Sequence, residues 1–232
     1  MSLLSMGAQA AAQAAAEAAA RATMKKGKTD EQKKVIDFMY RVGGGCLGKG
    51  SKMTMEEYLN LVQQKCQSLN LQARALQKIG VDYSQVQEIQ PVVLSSFAYD
   101  DDCLIRVDDN MAVSNRYSIT WIFFGREQMF TYKYTFETTS DNTWESTKDF
   151  FYTDITAFST LTQVKEKIEI KINKGCKGCL SPETVTKRHY VVDSLEIVVP
   201  GTSYAFFVRN SNTIQQSIMA AKAMLREKKY SR

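Results

Sequence analysis

The sequence predicts an α+β fold: N-terminal helices, then a bent antiparallel β-barrel of about seven strands capped by a C-terminal helix. Three observations carry this. Apolar residues recur at helical spacing between Thr29 and Ile79, alternate with polar residues after Pro91, and return to helical spacing after Ser211. The chain divides accordingly into 1–28, an alanine-rich helical arm and basic linker; 29–90, a small helical region; and 91–232, a β domain with its closing helix.

Residues 7–23, GAQAAAQAAAEAAARAT, are rich in the strongest helix former. Their larger polar residues, Gln9, Gln13, Glu17 and Arg21, fall four apart on one stripe, with Glu17 placed to pair with Arg21. The remaining faces are methyl groups, which suit close helix contact. The segment is therefore expected to dock on another helix, of its own chain or of a partner, and a homo-oligomer through it is one form this takes. The basic stretch KKGKTD is a hinge. Val35, Ile36, Phe38, Met39 and Val42 give the next helix, Thr29 to Val42, its apolar side, and three glycines end it. Thr54 and Glu57 have capping-box spacing and open a helix from Met55 to Leu69; another runs from Leu71 to Ile79 and stops at Gly80. Val81 to Ile89 is a short turn before Pro91.

In QMFTYKYTFE, Phe130, Tyr132, Tyr134 and Phe136 share one face and Thr131, Lys133, Thr135 and Glu137 the other, the pattern of a half-buried strand. RYSITWIFF precedes it through Gly125-Arg126, where a glycine in the first turn position suggests a type II′ hairpin. VKEKIEIKI repeats the alternation, with Val164, Ile168, Ile170 and Ile172 against four charged residues. Further strands are expected at Thr147–Tyr152, Ile155–Thr160, Lys187–Val192, Leu195–Val199 and Tyr204–Val208. Asn212 and Gln215 have capping-box spacing, and Ile214, Ile218, Ala221 and Leu225 form the stripe of the last helix. Trp121, Phe123, Phe130, Tyr132 and Ile218 are the expected core. On this reading residues 91–232 fold by themselves.

Composition bounds the function. Thirty basic residues against twenty-five acidic leave a net charge of +5, with much of the excess at the two ends. That is too mild and dispersed for a nucleic-acid surface. No apolar run is long enough to span a membrane, and MSLLSMGAQA lacks the charged start of a secretory signal. Five unevenly spread cysteines, Cys46, Cys66, Cys103, Cys176 and Cys179, fit free thiols in a reducing compartment, so a cytoplasmic protein is expected.

Four motifs are candidates for chemistry. GGGCLGKGS, Gly43 to Ser51, comes within one residue of a phosphate-binding loop, but Gly50 stands where the magnesium-binding hydroxyl belongs. The helix opened by Thr54 also begins too late to bring its dipole to a phosphate, so nucleotide binding is not expected. Cys176 and Cys179 offer half of a zinc site, and no metal is expected there because two further ligands are not apparent. Asp100, Asp101 and Asp102 with Asp108 and Asp109 bracket the short strand CLIRV but lack the order of a calcium loop. His189, the sole histidine, has no nucleophile or paired carboxylate placed with it. No catalytic set and no cofactor are expected.

The segments LQKIGVDYSQVQEIQPV, SITWIFFGREQMFTYKYTF, FFYTDITAFST and SIMAAKAMLREKK resemble a set of uncharacterised bacterial proteins whose C-terminal part is pleckstrin-homology-like, over roughly residues 75 to 230. The resemblance implies a nearly closed sheet of seven strands, one end plugged by the last helix, and a framework that binds lipids, peptides or proteins. The turn Phe124-Gly125-Arg126-Glu127 lacks the basic pocket of that fold's phosphoinositide-binding members. The expected function is a non-catalytic intracellular scaffold or adaptor with a protein partner. The alternative is a peripheral module held to anionic membranes by its basic ends.

Overall fold

Two capping boxes start the helical part. Thr29 and Thr54 accept side-chain hydrogen bonds from the backbone N–H groups of Gln32 (3.2 Å) and Glu57 (3.1 Å), and the Gln32 and Glu57 side chains accept from the Thr29 and Thr54 N–H groups in return. The computed structural model describes residue 16 and residues 18–40, 53–86, 90–108, 111–171, 184–209 and 212–230. In it α1 is Asp30–Met39, α2 is Met55–Ser68 and α3 is Leu71–Ile79. α3 ends at Gly80, whose φ of 76° is the left-handed conformation glycine adopts without strain. A 3₁₀ turn, Tyr83–Val86, follows. Ahead of α1, residues 18–25 are helical, and Arg21 and Lys25 reach the Asp37 carboxylate. The described part of the alanine-rich segment thus contacts a helix of its own chain.

The strands are β1 (Val92–Phe97), β2 (Ile105–Asp108), β3 (Met111–Ser114), β4 (Arg116–Phe124), β5 (Gln128–Glu137), β6 (Thr143–Phe151), β7 (Ala157–Lys171), β8 (Thr184–Val199) and β9 (Thr202–Val208), and α4 spans Asn212–Tyr230. All pairing is antiparallel: a four-stranded sheet in the order β1-β4-β5-β6, a β2-β3 hairpin, and a three-stranded sheet β7-β8-β9. β1 lies beside β9, but no ladder joins them among the described residues, so the sheets do not close into a barrel.

The four-stranded sheet is covered on both faces. On one, Phe123, Phe130, Tyr132 and Phe136 pack with Val35 and Phe38 of α1, Tyr58 and Val62 of α2, and Leu71 and Ala75 of α3. On the other, Ile122, Phe124 and Met129 meet Leu195 and Ile197 of β8, Phe206 of β9 and Ile218, Ala221 and Leu225 of α4. The boundary at residues 90 and 91 marks a change of secondary structure, and the first cluster crosses it. Among the expected core residues, Phe123, Phe130, Tyr132 and Ile218 are buried and Trp121 is half-buried.

Several strand expectations change. β5 is not half-buried: Thr131 and Thr135 are also buried, because the β7-β8-β9 sheet and α4 cover the second face, and burial lowers the pKa of Lys133 between them. Gly125 is not the first central residue of a type II′ turn: it is not in the positive-φ region, its N–H donates to Gln128 O (2.9 Å), and its carbonyl accepts from the Tyr152 hydroxyl (2.7 Å). On β7 the exposed face is the apolar one, with Val164 69% and Ile168 56% accessible, while Lys165 reaches the Tyr99 carbonyl (3.0 Å). Ile170 and Ile172 fall outside the side chains described.

Ile218 joins α4 to the second cluster at 2% exposure. Truncating it to alanine is expected to cost about 2 to 5 kcal/mol, the usual range for a core cavity, read as a lower urea midpoint at unchanged slope.

Candidate functional site: a groove between helix α2 and the sheet

The strand period sets the floor of a groove. Val93, Ser95 and Phe97 of β1 stand on the helix-facing side of the sheet and pair with Trp121, Ile119 and Tyr117 of β4. Above them, the i, i+3, i+4 and i+7 positions of α2, Leu59, Val62, Gln63 and Cys66, form the roof. α2 is held by Tyr58, which is fully buried, stacks between Phe38 (4.9 Å) and Phe97 (5.9 Å), and donates to the Ser114 carbonyl at 2.6 Å. Over the serines of β1 the layers stay apart, leaving an open groove of about 810 Å³. The start of α3, Tyr99, Met111 and Ala112, Val191 of β8, and Arg209 just after β9 complete its walls.

Its electrostatics are one-sided. Among the described residues the lining contains no Asp, Glu, His or Lys, and its single charged side chain is Arg209. Arg209 acts electrostatically on Tyr99 and Tyr117, whose hydroxyl pKa values burial nonetheless raises. Burial also pushes the Cys66 thiol up to about 11, so it is protonated at neutral pH and a poor nucleophile. Trp121 lines the groove, and its indole N–H is buried without an acceptor among the described residues.

The residues singled out in the sequence do not converge on this groove. The loop Gly43 to Ser51 lies outside the described residues; the element before it is helix α1, not the strand of a phosphate-binding unit, and the Thr54 capping box stands where the sequence places it. Cys176 and Cys179 also lie outside the described residues. His189 is on β8, exposed, 3.9 Å from Glu166. The aspartates serve arginines. Asp102 takes two hydrogen bonds from Arg116 (3.0 and 2.8 Å), which hold its pKa below the usual range, and Asp100 and Glu137 lie 3.5 and 3.0 Å from the same guanidinium. Asp108 pairs with Arg106 at 2.7 Å. Asp109 is outside the described residues.

The sequence does not reveal the groove, because its walls come from separate stretches, each of which reads as ordinary core. No single spacing marks it. Compared with family models, with curated proteins and with solved structures, the chain matches none.

Proposed function

We propose that the protein is a non-catalytic, cytoplasmic interaction module whose ligand seats in the groove between α2 and the first sheet. The observation that carries this reading is the groove's lining. It has the size of a small-ligand cleft, and its walls combine apolar side chains with nearly as much polar surface, from Gln63, Asn70, Gln72, the β1 serines and Arg209. Among its described residues it offers no general base, and the one thiol stays protonated, so these side chains would hold a bound molecule without reacting.

The element order supports the finer, pleckstrin-homology-like part of the proposal. With the β2–β3 hairpin set aside as an insertion between β1 and β4, a set of four strands and a set of three are followed by one helix. Seven strands followed by one helix is what the resemblance implies.

The test uses decanol, an uncharged apolar probe. At a hundred times its Kd a ligand adds about 2.7 kcal/mol, which for a chain of this size is a rise in Tm of about 5 to 10 °C. Ser95→Phe, which places a ring on the groove floor, is expected to abolish the rise. No stabilisation of the wild type by the probe overturns the reading. Binding to phosphatidylglycerol vesicles that Ser95→Phe leaves unchanged would favour attachment to anionic membranes through the basic ends.

A further inference from the structure

The groove is graded along its length. At the β1 position of Val93 its floor is Val93 and Trp121, and at the position of Phe97 it is Phe97 and Tyr117, about 13 Å further along at roughly 3.3 Å per residue. The tyrosine end carries the charge: the ring of Phe207, two residues before Arg209, lies edge-on to Tyr99 at 6.0 Å, and Arg209 lines the same groove. Arg209 is exposed, and no carboxylate pairs with it among the described residues. The first turn of α3 also faces the groove, and its N-cap residue, Asn70, makes no side-chain capping bond. A helix N-terminus adds positive potential of the same sign. Both sources of charge in the described walls therefore favour an anion, and no acidic group is among the described lining residues.

We infer that the groove takes a single-chain amphiphile with an anionic head, a free fatty acid, its carboxylate on Arg209 and its chain lying along β1 toward Trp121. This rests on the reading of the groove as a ligand site and adds to it the identity of the ligand class. Arginine suits a carboxylate because its planar donor fork meets both oxygens. A chain with one charged end fits the grading, whereas a ligand charged at both ends would set its second charge beside Val93 and Trp121, where no described lining side chain is charged. A single arginine also matches the single charge of a carboxylate better than the near-double charge of a phosphate monoester.

The experiment compares dodecanoate with dodecanol, below micelle-forming concentrations, by calorimetry at neutral pH and low salt on the full chain and on Arg209→Gln. Arg209 is exposed at the end of a strand, so the variant is expected to keep the wild-type melting temperature. The expected result is dodecanoate at least tenfold tighter than dodecanol, with the difference lost in Arg209→Gln and the dodecanol affinity unchanged. Equal binding of acid and alcohol overturns the anionic head while the groove stands as an apolar site. A preference for the acid that survives Arg209→Gln overturns the role of Arg209. Binding of neither overturns the groove reading as well. Vesicle binding to phosphatidylglycerol that Arg209→Gln abolishes would assign the anion to a membrane lipid and overturn the free acid.

Discussion

A chain that begins at Pro91 is expected to show no cooperative thermal transition and to elute from size exclusion as soluble aggregate. The sequence suggests the opposite, because every alternating segment and the closing helix lie within 91–232. In the folded protein, however, the helix-facing side of the sheet carries Phe123, Phe130, Tyr132 and Phe136, all buried under α1 to α3. Re-exposing four such side chains costs about 6 to 12 kcal/mol at 1.5 to 3 each, an upper figure because unfolded chains are already partly collapsed. A whole domain is stable by only about 5 to 15 kcal/mol. The freed surface would also be a contiguous apolar patch, the usual route to association. Size exclusion with scanning calorimetry decides the matter: a monodisperse monomer that melts cooperatively, with a mainly strand circular-dichroism spectrum, would show that the helices are dispensable.

The second large effect is expected at Tyr58. Its ring fills the junction between α1, α2 and β1, and its hydroxyl lies 2.6 Å from the Ser114 carbonyl and 3.0 Å from the Thr138 hydroxyl, all of it buried. Tyr58→Phe keeps the packing and removes the donor, and is expected to cost about 1 to 3 kcal/mol, because a buried acceptor loses its partner. Tyr58→Ala adds a cavity the size of the ring, for a total of about 3 to 5 kcal/mol or more. Because α2 roofs the groove, Tyr58→Ala should also weaken the decanol stabilisation at temperatures where the protein is still folded. Urea titrations of the two variants separate the terms. Equal costs for Phe and Ala would mean that the ring contributes nothing beyond its hydroxyl, against the stacking seen.

Much of the fold is legible locally. The starts of α1 and α2 follow from Thr29 and Thr54, because a capping box is a bond between residues three apart. The end of α3 follows from Gly80, because a left-handed residue is a property of one position. β4 and β5 appear in the sequence nearly to the residue, since alternation is a short-range signal. Nothing of that kind marks the groove. Arg209 reads as one more basic residue, and its significance comes from β9 lying beside β1, which brings Arg209 into the wall of one groove with Tyr99 and Tyr117.

The clearest division lies in β8. The sequence shows two apolar phases, Tyr190 with Val192 and then Leu195 with Ile197, and the change between them suggests a break. The strand is instead continuous from Thr184 to Val199, in unbroken register with β7. Its first half buries one face with Tyr99 and the β2–β3 hairpin, and its second half buries the opposite face against the four-stranded sheet and α4. β7 joins two expected strands in the same way. By itself the sequence determined where the chain is helical and where it is extended, through caps and periods that act within a few residues. Which face of each strand is covered, whether the helical and β parts share a core, and where the layers leave a groove were decided only by the tertiary structure. Those depend on which distant surface comes to rest on each face, and hydrophobic burial is non-directional, so the pattern shows that a face is apolar without showing what covers it.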